Sequence, residues 1–453
     1  MRLALEIAAA RAAGRLSRLA GRGGGTTLPG KLLATVDPGA LSALARRLPL
    51  GCALVSATNG KTTTASIVAE ILGGRIRLAH NRAGANLVSG VTSALLADPA
   101  AELGLFEADE GAFPEIARRV RPQAVCLGNL FRDQLDRYGE LELIAERWRS
   151  AVAELDPAGW VVANADDPLI AHLTEARANA LRFGLDDPAV ARERLAHASD
   201  SKYCVRCGAP YVYRAAYVGH LGDFSCPRCG AGRPPLDVAA QSISLSGLQS
   251  TTFDLVTPQG DRRVTLPLPG LYNVYNALAA SSLALVLGAD LDEIEAGLSR
   301  FRAPFGRFER IVAGDRDVLM LLIKNPAGAN EVVHTLASGE PPSLAVVALN
   351  DGIADGRDVS WIWDVDFEPL IESLEHLIVT GERAHELALR FKYGGLEKDR
   401  IEVIPNLERA LDRGLGLTPA GGELTVLPTY TAMLALRRIA TERGLVRPYW
   451  EAA

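Results

Sequence analysis

The sequence VSATNGKTTT, residues 55–64, joins two patterns of different period. An apolar run, residues 53–55, leads into it, and a helical pattern over residues 65–72 follows it. Glycine and polar residues between two such patterns are typical of a tight turn. We therefore predict a strand, a short loop and the start of a helix, and the rest of the chain is organised around this unit.

The loop within this stretch has the chemistry of a phosphate cradle. Gly60 lets the backbone approach an anion, and the free N–H groups at the helix N-terminus attract it. Lys61 adds a positive charge, and Thr62 offers a hydroxyl to Mg²⁺. A general Walker A loop has a glycine where this chain has Val55, so the match covers the Gly-Lys-Thr end alone. An ordinary turn without a ligand is the alternative interpretation.

Length and composition indicate an ordinary globular protein of two or three domains. The chain has 453 residues, 48% of them hydrophobic and 23% charged, and a net charge of −6, which does not favour nucleic acid as a partner. No apolar run is long enough to span a membrane. Residues 1–22 are rich in Arg and Ala, and we interpret them as an N-terminal helix rather than a targeting segment. Cysteine usage indicates a reducing, cytoplasmic compartment.

Acidic and amide residues follow two of the predicted strands. Residues 103–106 lead into EADEG, and residues 124–127 lead into NLFRDQLDRY at 129–138. Ligands of open α/β sheets bind at the carboxyl ends of the strands. Carboxylates at that edge suit Mg²⁺, a hard cation that prefers oxygen ligands. The sequence therefore predicts a magnesium site there, with a solvated acidic loop as the alternative.

Four cysteines interrupt the α/β rhythm between residues 203 and 233. They form two Cys-x-x-Cys pairs, each followed by a glycine: Cys204, Cys207, Cys226 and Cys229. Two such pairs at this separation predict a closed, structural zinc ribbon. Disulfides and a nucleic-acid-binding ribbon are the alternatives, but the compartment argues against the first and the lack of a basic stripe against the second.

The remaining patterns predict an α/β fold in three parts. A long apolar helix opens near Leu271, and new strands follow at residues 318–323, 344–349, 376–379, 401–404 and 424–427. We expect a helical lead-in over residues 1–50, an ATP-binding central domain over 51–310 and a smaller α/β domain over 311–453. The zinc ribbon is an insertion at about residues 201–233 of the central domain.

Together these residues resemble the Mur ligase family, ATP-dependent enzymes that join a carboxylate to an amine. Residues 58–63 match the family loop Gly-Thr-Asn-Gly-Lys-Thr-Thr, with Ala57 in place of its first glycine. The resemblance implies ATP and Mg²⁺ as cofactors, with Thr62 and Glu107 as magnesium ligands and Arg307 on the ATP phosphate. Residues 164–168 fall in a nucleotide-contacting segment. The implied nucleotide-binding set is Thr58, Asn59, Gly60, Lys61, Thr62, Thr63, Asn273, Asn276 and Arg307.

Three features resemble one branch of this family, the synthetase subunits of lipid II isoglutaminyl synthase. They are residues 129–140, the four-cysteine insertion, and the C-terminal segments 324–328 and 350–364. The resemblance implies that ATP phosphorylates the α-carboxylate of D-glutamate in the lipid II stem peptide and that ammonia displaces the phosphate. It places this reaction in a bacterial cytoplasm, at the inner face of the membrane. Gln134 replaces a histidine common in other branches, and lysine is scarce between Lys61 and Lys324, so the number of magnesium ions stays open.

The ammonia must come from a glutaminase, which needs an activated cysteine. Cys52 and Cys126 lie in apolar strand patterns, so we expect a separate subunit, and the resemblance implies a GatD-like amidotransferase. It also implies that an aspartate of the C-terminal domain orients the partner's catalytic histidine. We favour Asp355 over Asp351 and Asp358 and group it with Lys61 and Arg307 as catalytic; capping of a turn is the alternative. Trp361 and Trp363, expected on one face of a strand-like segment, are candidate anchors for the partner or core residues.

Two other functions stay open at this point. One is a Mur-type ligase that adds an amino acid, such as a UDP-MurNAc-peptide or folylpolyglutamate synthetase, although Gln134 and the cysteine insertion count against it. The other is a P-loop protein that binds nucleotide as a scaffold without turnover.

Overall fold

The computed structural model describes residues 27–81, 85–133, 140–195, 199–302 and 308–447, together with Ile7 and Ala10. Most of the expected N-terminal helix lies outside these residues, as do Gln134 and Arg307. In the described part of the chain, no helix has both the length and the hydropathy that crossing a bilayer requires.

A large mixed sheet forms the framework of the first 300 residues. The strands of this region are β1 (Cys52–Ser56), β2 (Leu78–His80), β3 (Leu103–Ala108), β4 (Ala124–Leu127), β5 (Trp160–Asn164), β6 (Ala180–Leu185), β7 (Val212–Val218), β8 (Leu221–Ser225), β9 (Val238–Ser246), β10 (Ser250–Thr257) and β11 (Gly260–Leu266). Nine of them pair in the order β11-β10-β9-β6-β5-β4-β1-β3-β2. Within this sheet, neighbouring strands from β9 through β6, β5, β4, β1 and β3 to β2 run parallel, whereas β10 is antiparallel to both of its neighbours. The predicted strand–loop–helix unit is therefore central, with β1 between β3 and β4.

Helices cover both faces of this sheet. They are α1 (Leu28–Val36), α2 (Ala40–Ala45), α3 (Lys61–Leu72), α4 (Val88–Ala97), α5 (Phe113–Val120), α6 (Leu141–Ala153), α7 (Pro168–Leu173), α8 (Leu271–Val286) and α9 (Leu291–Arg300). Helices α3, α8 and α9 share one core cluster, and α1, α2, α4, α5, α6 and α7 contribute to the other. Since β1 is buried on both faces, its sequence is a continuous apolar run rather than an alternating one.

A second sheet occupies the C-terminal part of the chain. Its strands are β12 (Phe308–Ala313), β13 (Arg316–Leu321), β14 (Leu344–Ala348), β15 (His376–Thr380), β16 (Ile401–Val403) and β17 (Glu423–Pro428), paired as β12-β13-β17-β14-β15-β16. Its helices are α10 (Pro326–Ala337), α11 (Glu368–Ile371), α12 (Ala384–Tyr393), α13 (Leu407–Leu417) and α14 (Tyr430–Glu442). This sheet begins at Phe308, before the boundary that we expected after Arg310. The three-part division of the chain stays a proposal.

The four-cysteine insertion lies between β6 and β9 and contains the two-stranded hairpin β7–β8. Its strands pair with each other and are not part of either large sheet. The expected α/β fold with a cysteine insertion is thus confirmed.

One local prediction is wrong. The segment with Trp361 and Trp363 is a 3₁₀ helix, Ser360–Asp364, and not strand-like. The Asp358 side chain accepts a hydrogen bond from the Ser360 N–H at 2.8 Å, which favours a helical turn here. With three residues per turn, the two indoles point in different directions. Trp361 packs partly against the core, and Trp363 is 51% exposed beside the ring of Tyr393.

Candidate active site

The phosphate loop has a conformation that requires glycine at its last position. Gly60 has a φ of +90°, and a Cβ there would lie 1.9 Å from Asn276 Oδ1. The loop is held from β4 by two hydrogen bonds, because Thr58 N–H donates to the Asn129 carbonyl and Asn59 N–H to Asn129 Oδ1, both at 2.9 Å. Helix α3 then begins directly at Lys61. The loop is therefore pre-shaped, with its backbone N–H groups near the N-terminus of α3.

Lys61 is buried in an ion pair that the sequence analysis missed. Its Nζ lies 2.7 Å from Glu110 Oε2 and also donates to the carbonyls of Ala57 and Thr58. Burial lowers the pKa of Lys61, but Glu110 and its acidic neighbours outweigh that effect and hold the pKa above the ordinary value. Burial likewise raises the pKa of Glu110, while Lys61 and Lys324 bring it below the ordinary value. Both groups are therefore charged at neutral pH. Glu110 was visible in the sequence only as one of the three acids of the segment EADEG, residues 107–111.

Glu107 offers an oxygen that has no hydrogen-bond partner among the described residues. It lies on β3 opposite Val55 of β1, and Asn81 fixes its backbone N–H and carbonyl at 2.9 Å each. The side chain is buried, and no described group donates a hydrogen bond to its Oε2. A buried carboxylate oxygen of this kind is costly unless a cation or donor binds it. The residue therefore fits the magnesium role predicted for it, at the same sheet edge as Thr62 at the start of α3.

The first two turns of α8 lie against the phosphate loop and the start of α3. Asn276 Nδ2 donates to Asn273 Oδ1 at 3.0 Å, and Asn273 Nδ2 donates to the Pro269 carbonyl at 2.8 Å. Thr64 on α3 reaches Asn276 Oδ1 at 3.4 Å. The structure thus brings Asn273 and Asn276, which are more than 200 residues away in sequence, against the loop.

A cavity opens between the loop, α8 and the start of α10. Its polar walls include Asn59, Asn129 and Lys324, and much of its remaining lining is aromatic or aliphatic. The apolar lining includes Phe131, Val218, Leu221, Leu268, Tyr272, Phe308, Leu322 and Val332. A concave site with apolar walls and a few polar groups is typical of a small-molecule site.

Two of the predicted nucleotide-contacting residues serve the fold in this structure. Asp166 accepts hydrogen bonds from Tyr275 Oη at 2.6 Å and Arg233 Nη1 at 3.0 Å. Asp167 caps α7 by accepting from the Leu169 N–H at 2.9 Å. Both carboxylates are completely buried among protein groups. Asn164 differs, because no described group accepts a hydrogen bond from its Nδ2.

The C-terminal part of the chain contacts the phosphate loop directly. Asn325 and Asn59 exchange hydrogen bonds between their side chains at 3.0 and 3.2 Å. Lys324 Nζ lies 2.5 Å from Asp133 Oδ2 and 3.2 Å from the Thr58 carbonyl oxygen, which also accepts from Lys61. Lysines are only six of the 48 basic residues, and two of them meet here. Lys324 also begins segment 324–328, which the sequence analysis singled out, but nothing in the sequence indicated its contact with the phosphate loop.

The four cysteines of the insertion converge as predicted. Their Sγ atoms all lie within 4.8 Å of one another, and the Cys204–Cys229 and Cys207–Cys226 sulfur pairs are 3.5 Å apart. A tetrahedral zinc with bonds of about 2.3 Å separates its sulfur ligands by about 3.8 Å, so the cluster fits that metal. Gly208 and Gly230 have φ near +72° and close the two turns. Burial raises the pKa of Cys204, but the N–H groups of Arg206 and Cys207 bring it to about 6, which favours a thiolate ligand.

The three candidate aspartates of the C-terminal part have different surroundings. Asp355 is 6% exposed and accepts hydrogen bonds from the backbone N–H of Thr431, at 2.8 Å, and from its hydroxyl. Burial raises the pKa of Asp355, although these hydrogen bonds oppose it. Asp351 pairs with Arg383 at 3.0 Å, and Asp358 caps the turn at Ser360. Asp355 therefore holds the N-terminus of α14 in this structure.

Comparisons with known proteins show which family the chain is similar to. The Mur ligase middle domain model matches residues 55–219, and the MurT ligase C-terminal model matches residues 322–433. Among curated proteins, the chain is 32% identical over 438 residues to subunit MurT of the glutamine-hydrolysing lipid II isoglutaminyl synthase of Staphylococcus aureus, covering 96% of each chain. It is equally identical to the Streptococcus pneumoniae subunit, covering 95% of each.

Solved structures share the fold. A pseudomurein peptide ligase type C from Methanothermus fervidus aligns with a TM-score of 0.68 at 21% identity, over 86% of this chain and 78% of that one. MurF from Acinetobacter baumannii aligns with a TM-score of 0.65 at 21% identity, over 90% and 80% of the two chains.

Proposed function

Because the chain belongs to the MurT family of Mur ligases, which are ATP-dependent ligases, we propose that it amidates lipid II. The reaction converts the α-carboxylate of D-glutamate in the stem peptide to the amide of D-isoglutamine. The observation that carries this proposal is the phosphate loop at the junction of the two large sheets, with buried Lys61 and the unpartnered Glu107 oxygen at its edge. The substrate and the reaction are those for which the relatives are named.

The chemistry begins with activation of a poor electrophile. Transfer of the ATP γ-phosphoryl group to the carboxylate gives an acyl phosphate, from which ammonia displaces phosphate. Phosphoryl transfer depends mainly on positioning and on neutralising charge. Lys61 binds phosphate oxygens by turning its ammonium group from the carbonyls of Ala57 and Thr58. The backbone N–H groups after Gly60 bind phosphate oxygens as well, and Arg307 adds a further positive charge. Glu107 and Thr62 would hold Mg²⁺, which would supply positive charge beside the phosphates.

The cavity between α8 and α10 supports binding of the nucleoside part of ATP. Its apolar walls match the faces of a purine base, and Asn59, Asn129 and Lys324 offer polar contacts at one end. Both large parts of the chain contribute to this cavity. Tyr272 comes from α8, which packs on the first sheet, and Val332 comes from α10 of the C-terminal part. Bound nucleotide would therefore hold the two parts together and keep water from the acyl phosphate.

Ammonia comes from a second subunit in this proposal. Four of the six cysteines form the metal cluster, and burial raises the pKa of Cys52 to about 12 and that of Cys126 further. Neither thiol is a thiolate at neutral pH, so neither suits the nucleophile of a glutaminase. A GatD-like amidotransferase subunit fills this role. The naming of the relatives as subunits supports a complex.

Asp355 remains our candidate for the residue that orients the partner's histidine. To do so, its carboxylate must leave Thr431, because both of its oxygens are engaged there. In the complex, Asp355→Asn should abolish glutamine-dependent amidation but retain ammonium-dependent amidation. Asp351→Asn and Asp358→Asn serve as matched variants that should retain both. Loss of the glutamine-dependent reaction in either of these two instead of Asp355→Asn would reassign the role.

The four thiolates hold a structural zinc ion in this proposal. A closed four-cysteine site leaves no position for substrate, so it contributes to folding rather than to chemistry. Metal analysis of the purified chain should give one zinc per molecule.

ADP release tests the ligase activity. The chain with Mg²⁺, ATP and ammonium should release ADP only when lipid II is present, because the carboxylate is the phosphoryl acceptor. ADP release at the same rate with and without lipid II would contradict the assignment of the carboxylate as phosphoryl acceptor. No ADP release in the presence of lipid II and ammonium would favour a nucleotide-binding scaffold.

A further inference from the structure

The hairpin β7–β8 connects the cysteine cluster to the nucleotide cavity. Cys207 precedes β7 and Cys226 follows β8, so the cluster lies at the open end of the hairpin. At the other end, Val218 and Leu221 flank the tip and line the cavity beside the phosphate loop. The cysteine cluster and the cavity beside the phosphate loop therefore lie at opposite ends of one two-stranded hairpin.

The tip of the hairpin packs closely on Phe131. The rings of His220 and Phe131 have centroids 4.6 Å apart. A Cβ on Gly219, which has a φ of +56°, would lie 2.8 Å from Phe131 Cε1. His220 is fully buried, with Nε2 3.4 Å from Asp167 Oδ2, and the same oxygen accepts the Leu130 N–H at 2.8 Å. Asp167 thus contacts both the tip and the segment that carries Phe131.

The backbone of Phe131 is hydrogen-bonded to the phosphate loop. Its N–H donates to Thr58 Oγ1 at 3.0 Å, and its carbonyl oxygen lies 3.3 Å from the same hydroxyl. Thr58 also shares its carbonyl with Lys61 and Lys324. A displacement of the Phe131 ring therefore reaches the phosphate loop through the hydrogen bonds between the Phe131 backbone and Thr58.

The hairpin needs support at its open end. A hairpin outside any larger sheet is marginally stable in water, so its own hydrogen bonds cannot hold the tip in place. After the second cysteine pair, Arg233 donates to Asp166 Oδ1 at 3.0 Å and to the Leu185 carbonyl at 2.8 Å. On the other strand, Ala216 accepts the N–H of Arg192, whose side chain pairs with Glu331 of α10 at 2.5 Å. The hairpin is thus fixed to both parts that enclose the cavity.

We propose that the hairpin positions the phosphate loop through Phe131, so that zinc binding at the cysteines strengthens nucleotide binding. This inference rests on the proposed function, namely ATP at the loop and zinc at the cysteines. Phe131 is a positioning residue, acting on nucleotide through Thr58. Coupling between two binding sites is reciprocal, so nucleotide must also strengthen zinc binding by the same factor.

The test measures MgADP affinity by calorimetry on the full chain, zinc-loaded and zinc-depleted. Depletion should weaken MgADP binding about tenfold. In the zinc-loaded chain, Phe131→Leu should also weaken it, because the ring contact with the tip is lost while the backbone bonds to Thr58 remain. Zinc depletion should then have little further effect in this variant, as in a double-mutant cycle. Phe253→Leu, on strand β10 beside the edge strand β11, is the control for loss of a core phenyl ring and should retain the coupling.

A reciprocal measurement avoids a zinc-free chain that fails to fold. MgADP should slow zinc transfer from the loaded wild-type chain to a chromogenic chelator, and it should do so much less in Phe131→Leu. If zinc-loaded wild type does not bind MgADP, the proposed function itself fails. If it binds MgADP and the nucleotide leaves zinc transfer unchanged, the coupling alone is overturned.

Discussion

Two buried glutamates beside the phosphate loop have opposite surroundings. Glu110 is paired with Lys61 at 2.7 Å, whereas Glu107 Oε2 has no donor among the described residues. Burying an ionised carboxylate is costly unless it is paired or binds a metal. The two residues should therefore respond differently when each is replaced by glutamine, which keeps the shape and removes the charge.

Glu107→Gln should weaken magnesium binding without weakening the fold. The Mg²⁺ concentration for half-maximal ADP release should rise about tenfold or more, equivalent to about 1.4 kcal/mol. Urea unfolding should show equal or greater stability, because a neutral amide is easier to bury than an unpaired carboxylate. An unchanged magnesium requirement would remove Glu107 from the metal site.

Glu110→Gln should destabilise the chain by about 3 kcal/mol at neutral pH, because Lys61 loses its buried partner. The folded-state pKa of Glu110 lies below its ordinary value of 4.5, so the pair's contribution is complete above that pH and is lost as the pH falls further. The pKa of Lys61 lies above 10.5, so the contribution persists up to that pH.

The measurement is the free energy of unfolding of wild type and Glu110→Gln by urea across this range. The difference between them should be constant between these limits and shrink under more acidic conditions. A difference that instead grows on acidification would mean that Glu110 is protonated in the folded chain.

At the scale of elements, the turn from β1 into α3 depends on one glycine. Gly60 has a left-handed φ, and the Asn276 side chain of α8 occupies the space that a Cβ on Gly60 would need. A side chain there would strain the loop and displace α8 from it. The turn is therefore fitted both to its own backbone and to its neighbour.

Gly60→Ala should abolish tight nucleotide binding. Left-handed backbone alone costs an alanine about 1–2 kcal/mol, and the contact with Asn276 adds to this. Gly314→Ala is a matched control, because Gly314 has a φ of +72° and no atom within 4 Å of an added Cβ. Calorimetry should show MgADP affinity reduced more than about tenfold in the first variant and unchanged in the second. Equal affinities would show that the loop tolerates displacement of Asn276.

The sequence predicted best those features whose residue pattern depends on one element alone. The fully buried β1 and β4 were readable as continuous apolar runs, and paired cysteines indicated the metal cluster. The turn at Trp361 and Trp363 was misread because alternating bulky residues resemble a strand, whereas the cap from Asp358 decides the conformation. A local residue pattern does not reveal which side chain accepts a hydrogen bond from the first backbone N–H of a turn.

Contacts between distant parts of the chain were the least predictable. Lys324 and Thr58 are separated by 266 residues and nevertheless share a hydrogen bond. The buried pair of Lys61 and Glu110 also depends on the neighbouring positions of β1 and β3. Such contacts follow from strand order, which the sequence left undetermined.

For the whole molecule, the junction between the two sheets is made at the phosphate loop itself. Lys324 and Asn325 precede α10 and contact Thr58, Asn59 and Asp133. A ligase that closes over its acyl phosphate needs such contacts to align both parts. The junction should therefore affect turnover more than folding.

Lys324→Met should lower the rate of lipid II-dependent ADP release about 10- to 100-fold, because the junction loses its charge pair with Asp133. Lys398→Met is the control, since Lys398 is exposed in a short turn before β16. Steady-state kinetics should show the loss in kcat, with thermal stability close to wild type. A loss confined to stability would make Lys324 a structural residue only.

The most direct measurement is the mass of lipid II after incubation with this chain, ATP, Mg²⁺ and glutamine, with and without a GatD-like subunit. Amidation exchanges OH for NH₂ by acyl transfer, so the product should be about one dalton lighter and should form from glutamine only with the partner. Ammonium should replace glutamine and partner together. A product heavier by an amino-acid residue would contradict the proposal and make the chain an amino-acid-adding Mur ligase.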